Sequence, residues 1–263
     1  MAKTNVIRTF KNYGLLYSLN RLYQLTLHRP IRNLSFYIEL VREKRGLEVG
    51  GPSAVFATRG LIPLYDHVGS LDNCNFGSRT LWATHDVGRT FHYSTAKQPG
   101  KQLVAEGADL AEVADGSYDF ILSSHMLEHS ANPLKALRAW RRVLRPNGSL
   151  VLLLPNKRWT FDHYRPVTTL AHLVEDFEAQ KSEDDLTHLP EVLELHDLSR
   201  DPDAGEYAEF KKRSENNPEN RGMHHHVFDE ALVGEILEWS GFSVRLLRAA
   251  FKDHIVGVAQ RLR

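Results

Sequence analysis

The chain has 263 residues, 42% hydrophobic and 25% charged, which suits one large α/β domain with insertions or two small domains. Its 33 basic residues balance 33 acidic ones, which is not the pattern of a general nucleic-acid binder. Cys74 is the only cysteine, so an intramolecular disulfide and a CxxC metal or redox site are excluded. No run of 18 apolar residues and no signal-peptide core occur, so the expectation is a cytoplasmic enzyme that does not engage a membrane.

Residues 5–45 read as helical with short breaks. Tyr13, Leu16, Leu19, Tyr23 and Leu27 recur at spacings of three and four, Pro30 interrupts, and LSFYIELVREKR follows as a second short helix. These helices are too short to hold a core of their own, so residues 1–45 are expected as a helical lid or a homodimer surface. The basic residues Lys3, Arg8, Lys11, Arg21, Arg29 and Arg32 read as a solvated helix face.

Alternating elements follow. Strands are expected at 46–50, at 67–71 closed by Asp72, at 101–105 and at 118–124, with a short helix at 53–59. A strong helix begins near Pro133. Leu134, Leu137, Trp140, Val143 and Leu144 line one face, and Pro146-Asn147-Gly148 stops it before a buried strand at 149–155. Apolar strands separated by helices imply an α/β fold, a parallel sheet with helices on both faces. Residues 156–222 lose this periodicity and read as a long polar insertion, ordered by scattered apolar side chains. A helix over VFDEALVGEILEWSG, then FSVRLLRA and DHIVGVAQR as an antiparallel strand pair, complete the chain.

In such a sheet ligands bind beyond the carboxyl ends of the strands. GLEVGGPS, residues 46–53, reads as a first strand entering a glycine turn with a carboxylate two residues before it. Glu48, Gly50, Gly51 and Ser53 are therefore candidates to bind a nucleoside-bearing cofactor, the glycines because no side chain blocks a close approach. The start of the helix at 53–59 would add free N–H groups for an anionic end. Asp72 can accept ribose hydroxyls, Asp109 with Ala108 and Leu110 can frame an adenine, and Ser124 ends the fourth expected strand. Taken singly, each is as readily a turn, a surface acid or a helix cap. Their order, with Asp72 22 residues after Gly50, favours a common site.

LEVGGPS at 47–53, Asp72, ADL at 108–110 and the run DGSYDFILSSHMLEHSANPLKALRAWRRVLRPNGSLVLLLPNK at 115–157 resemble the class I S-adenosylmethionine (SAM)-dependent methyltransferases, most closely the small-molecule, sugar O-methyltransferase branch. The resemblance covers about residues 46–157. It implies a Rossmann-like, mostly parallel sheet of seven strands, SAM as cofactor, and a methyltransferase domain over 46–263 with 156–222 as substrate-binding insertion. The turn departs from the family's GxGxG: Pro52 stands at the second glycine position, and is expected to pre-set the start of the following helix. No GxGxxG is present, which argues against a nicotinamide cofactor.

Methyl transfer to oxygen needs a positioned hydroxyl and a group that takes its proton. His125, His163 and His226 are the candidate bases. Seven of the fourteen histidines fall between 163 and 226, more than a solvated loop needs. In the triplet 224–226, His224 and His226 share a face of an extended chain and His225 opposes them. Asp162, His163 and Asp197 are candidate ligands for Mg²⁺ or Mn²⁺, which would lower a hydroxyl pKa. Trp159, Phe161 and Tyr164 offer rings to stack on a sugar, and Arg158 and Arg165 offer charge to an acidic acceptor. The reading is an O-methyltransferase acting on a small hydroxylated metabolite, a carbohydrate or glycoside. N- or C-methylation of another small metabolite, or SAM binding without catalysis, are the alternatives.

Overall fold

The computed structural model describes residues 30–78 and 88–262. Its centre is a sheet of eight strands: β1 (Arg45–Val49), β2 (Ser70–Asn75), β3 (Thr90–Phe91), β4 (Gly100–Val104), β5 (Tyr118–Ser124), β6 (Leu144–Pro155), β7 (Phe242–Ala250) and β8 (His254–Arg261). They lie in the order β3-β4-β2-β1-β5-β6-β8-β7. β4, β2, β1, β5 and β6 are parallel, whereas β3 on β4, β8 on β6 and β7 on β8 are antiparallel. The sheet is thus eight-stranded and mixed rather than seven-stranded. The extra strand is the two-residue β3, too short to leave a periodic signal.

Both faces of the sheet are buried, and period-two alternation splits the central strands between two cores. Leu150, Leu152 and Leu154 of β6 join a core with Ile121 of β5, while Val151 and Leu153 join the opposite one with Phe120 and Leu122. Seven helices of four or more residues accompany the strands in the described residues: α1 (Leu34–Val41), α2 (Pro133–Val143), α3 (Leu170–Glu178), α4 (Leu189–Leu195), α5 (Tyr207–Glu215), α6 (Asn217–Asn220) and α7 (Glu230–Trp239). On the first face, α2 buries Leu134, Leu137, Trp140 and Val143, at roughly 1.5–3 kcal/mol for each large apolar side chain. Asn132 caps α2 by accepting from the Lys135 N–H at 3.0 Å, and Pro133 occupies the first turn, where no N–H is needed. The helix ends at Val143, and the chain enters β6 at Leu144, ahead of the expected Pro146-Asn147-Gly148 stop.

On the second face, α1 packs Tyr37 and Val41 fully buried beside Phe56, Ile62, Leu64 and Tyr65. The described part of the expected N-terminal lid is therefore a layer of this core, not a cover over a site. The rest of the lid, with its basic residues before Ile31, lies outside the described residues. The 53–59 segment forms turns rather than the expected short helix.

The insertion is more regular than its sequence suggested. Residues 170–220 hold α3 to α6, and Val192, Ala204, Phe210 and Met223 form a small core of their own. Among the described residues no helix is long and apolar enough to cross a membrane.

Candidate active site at the strand ends

Strand order reverses across β1, whose neighbours are β2 on one side and β5 on the other, so a crevice opens beyond Val49. Gly50 turns the chain there at φ +89°, a conformation costly to any residue with a Cβ. The turn is held from below. Glu48, fully buried, accepts from the Ser53 N–H at 3.0 Å and from the Tyr65 hydroxyl at 2.7 Å. Asn73 accepts from the Gly51 N–H at 3.0 Å, and the Asn73 and Asn75 amides donate to the Gly51 carbonyl at 3.0 and 3.1 Å. Burial pushes the Glu48 carboxyl up to about 7, although the Ser53 and Tyr65 hydrogen bonds favour its charged form. The Gly51–Pro52 peptide is cis.

Two expectations about the cofactor fail here. No helix follows Pro52, so no row of free N–H groups points at the turn, and the Gly51 and Ser53 N–H groups are already bonded within the protein. Asp72 does not close β2, which runs on to Asn75. Instead Asp72 is buried inside the strand, where it accepts from Arg45 Nη2 and the Tyr118 hydroxyl, both at 3.0 Å, and from the Lys101 N–H at 2.8 Å. Its carboxylate ties β1, β2, β4 and β5 together rather than facing the crevice. Asp109 is exposed beside buried Ala108 and Leu110, and lines a cavity of about 330 Å³ with Asn132, Lys135, Lys181 and Arg221.

The polar centre of the crevice lies after β5. Ser124 ends the strand half-buried, and His125 follows at φ +52°. His125 Nε2 lies 2.8 Å from His254 Nδ1 at the start of β8, and its Nδ1 lies 3.5 Å from Glu128 Oε1. The His125 side chain keeps 36% of its surface exposed, whereas Glu128 is fully buried and neither carboxylate oxygen has a hydrogen-bond partner. Burial drives both groups towards their neutral forms. It raises Glu128 to about 7 and, with the neighbouring His254 and His224, lowers His125 to about 3. Met126 lies between this centre and the turn: a Cβ on Gly50 would sit 3.0 Å from its Cβ, and one on Gly107 2.5 Å from its Cε.

The insertion closes the other side. His224 Nδ1 donates to Asp162 Oδ2 at 2.5 Å, and Arg165 Nη1 donates to Asp162 Oδ1 at 2.9 Å. Burial opposes charge on both members of the His224–Asp162 pair. Their mutual attraction wins, with the imidazole raised above its usual range and the carboxyl held well below its own, aided by Arg165. The His224 ring lies 4.6 Å from His129 and 4.8 Å from Phe161. Glu128, His129 and His224 each offer a ligand atom within 4.8 Å of the others, a set able to hold a metal ion.

The expected bases are therefore dispersed. His125 stands at the centre. His163 turns to Asp197 at 2.7 Å, and His226 is buried beside α3, its Nε2 3.3 Å from the Ala131 carbonyl. His224 packs on His129 and Phe161, whereas His225 and His226 both lie near His188, and His225 bonds Asn217 at 3.0 Å. The expected metal ligands separate too: Asp162 is taken up by Arg165 and His224, leaving only His163 and Asp197 together. Arg165 is 1% exposed and holds the insertion, so it is not available to bind an acceptor. Sequence reasoning missed His254, which sits inside an expected strand, and the roles of Glu128 and Asn73. The alternation within HHH was the one clue to His224.

Residues 81–152 match the family model described as a methyltransferase domain. No curated protein matches the chain. Solved structures similar to it include a SAM-dependent methyltransferase from Aquifex aeolicus, 17% identical with a TM-score of 0.48 over 94% of this chain and 96% of that one. Others are the putative methyltransferase of Haloferax volcanii solved with the Trm112 activator, 11% identical with a TM-score of 0.49 over 100% and 96%, and a SAM-dependent methyltransferase from Methanosarcina mazei, 14% identical with a TM-score of 0.47 over 89% and 99%. At such identities neither substrate nor chemistry transfers from them. The matched segment, similar to a methyltransferase domain, lies in a sheet that reverses its strand order at a glycine turn.

Proposed function

We propose that the protein transfers a methyl group from SAM to a hydroxyl of a small metabolite, a carbohydrate or glycoside, with His125 as the proton acceptor. SAM supplies the activated methyl group. Gly50, exposed at the turn, gives its amino-acid end a close backbone approach, Ser124 and Met126 line the crevice floor, and Ala108–Leu110 lie on the side where an adenine would pack. The observation that carries the reading is the His125–Glu128 pair. The neutral imidazole, 36% exposed, holds Nε2 against His254 Nδ1 at 2.8 Å, where an incoming hydroxyl would take the place of His254, and the buried Glu128 carboxyl, without hydrogen bonds, stands 3.5 Å from Nδ1. As the acceptor oxygen bonds the methyl carbon and the carbon–sulfur bond breaks, the hydroxyl proton passes to His125. The imidazolium so formed is paired by Glu128.

The sugar assignment rests on Trp159 and Tyr164. They flank Asp162 in sequence and are 53% and 64% exposed, as rings that stack on a sugar face would be. The test is SAM binding by calorimetry, followed by mass-spectrometric detection of transfer to a panel of sugars and glycosides. H125A and E128Q should each lower kcat by roughly 10²–10⁴-fold with SAM affinity unchanged. Methylation solely at nitrogen or carbon, or full activity in H125A, would overturn the reading. The Gly51 and Ser53 amides are spent on the protein itself, which leaves SAM fewer donors at the turn, so the calorimetry comes first and an absence of SAM binding would also overturn the reading.

A further inference from the structure

We propose that His172, Asp176, His188 and His226 form a binding site for one divalent metal ion of the zinc type, separate from the His125–Glu128 centre. His172 and Asp176 stand one turn apart on α3, His188 precedes α4, and His226 lies on the extended segment before α7. Each offers a ligand atom within 4.8 Å of the other three. His172 Nε2 and His188 Nε2 face each other at 3.2 Å, and Asp176 Oδ2 lies 3.3 Å from His172 Nε2 and 3.7 Å from His226 Nε2.

These groups converge and satisfy one another only in part: His172 Nε2 and His188 Nε2 share one proton at 3.2 Å, and His226 Nε2 reaches the Ala131 carbonyl at 3.3 Å. Asp176 is 4% exposed and its Oδ2 has no hydrogen-bond partner, and neither has Nδ1 of the buried His226. A buried carboxylate oxygen facing imidazole nitrogens at those distances is what a central cation would satisfy. The surroundings hold the donors in place. Thr169 caps α3 at the His172 N–H, the Asp176 carbonyl accepts from Asn132 at 3.1 Å and from the Lys181 N–H at 3.0 Å, and the Ala131 carbonyl lies against His226.

Three imidazoles and one carboxylate suit Zn²⁺, and disfavour Mg²⁺, which requires oxygen ligands. Four protein ligands leave no open position, so the ion ties α3, α4 and the 224–226 segment together. The Glu128–His129–His224 group carries less, since His224 Nδ1 is already engaged by Asp162.

The full chain, treated with a chelator and then titrated with Zn²⁺ and Co²⁺, tests the site. The expected result is one equivalent bound, a raised Tm, and the visible bands of tetrahedral Co²⁺. Because H226A removes a fully buried group, the variants to use are H172Q and H188Q, whose residues are partly exposed. Each should weaken Zn²⁺ binding by more than about 100-fold, the upper end of what outer-shell partners cost. H163Q, at the pair expected from sequence, should bind like the wild type. No stoichiometric Zn²⁺ uptake by the wild type, or unaltered uptake by both H172Q and H188Q, would overturn the proposal. SAM binding is measured on the same samples, so failure of the metal site is distinguishable from failure of the methyltransferase reading.

Discussion

The glycine turn and the histidine-rich insertion face the same crevice, but they are held in opposite ways. The turn is fixed from the strands beneath it: Glu48 of β1, Asn73 and Asn75 of β2, and Tyr65 between them bond mostly to its backbone, from no more than 24 positions away. The insertion is fixed by charge at a distance. Arg165 alone joins Asp162, Glu191 and the carbonyls of His224 and His225, up to 60 positions away. Short-range backbone bonding makes a rigid turn from few residues. A buried guanidinium makes one fold of several short helices that lack a large core, and concentrates their stability in a single side chain.

That contrast is broken most directly at Arg165. R165M removes one of the two partners of the buried Asp162 carboxylate, leaving it His224 alone, and frees the His224 and His225 carbonyls, at a cost of about 3–5 kcal/mol. The insertion should open while the sheet stays folded. Hydrogen exchange should rise across residues 162–226 and remain slow in β1, β5 and β6. Uniform protection in the variant would show that the insertion does not depend on its central charge.

The same contrast decides what could be read from sequence. Apolar strands and the Pro133–Val143 helix follow from period and caps, and six of the expected strands fall where residues 46–50, 101–105, 118–124, 149–155, 242–249 and 253–261 place them. The glycine turn was legible as a turn. Its chemistry was not, because Asp72 and Asn73 differ by one position, and a one-residue change of register swaps which of them meets Gly51 and which is sealed inside the strand. The insertion's helices were hidden because segments of four to nine residues hold too few turns to show a period, and because their packing rests on ion pairs that no local pattern encodes.

Glu48 tests the turn's side of the comparison through pH. Unfolded, its carboxyl loses a proton near the ordinary 4.5; folded, it keeps that proton until about 7. The folded state therefore binds the proton more tightly, and its stability falls as pH rises from 4.5 to 7, by about 3 kcal/mol, and then levels off. E48Q has no such proton to lose. Urea titrations should show the variant gaining on the wild type between pH 5 and pH 8 by about that amount. A difference that stays constant with pH would mean that Glu48 titrates normally and that burial is not what sets it.

Gly51 gives a smaller effect confined to the turn. A Cβ there would lie 2.4 Å from Glu48 Cδ and 2.8 Å from Asn73 Oδ1, both fixed by their own hydrogen bonds. G51A should cost about 1–3 kcal/mol through overpacking. Calorimetry should show weaker SAM binding, with the insertion's hydrogen exchange unchanged. Coupled loss in both regions would mean that turn and insertion are one cooperative unit.

His163 marks the smallest effect and separates nearness in sequence from membership of the site. It is adjacent to Asp162 and is one of the three bases expected from sequence, yet its Nε2 faces Asp197 at 2.7 Å and its ring lies against exposed Tyr164. Both partners of the pair keep 16% of their side-chain surface in solvent, so the attraction is partly screened and set against the entropy of fixing two side chains. Asp197 also holds Ser199 through its other oxygen, so the loop retains an anchor when the imidazole is removed. H163A should therefore cost less than about 1 kcal/mol in stability. Methyl transfer should stay within about fivefold of the wild type, under ~1 kcal/mol of barrier, against the far larger loss expected for H125A. A kcat for H163A as low as that of H125A would move the proton acceptor to the loop after β6, and would make the insertion, not the end of β5, the seat of the chemistry.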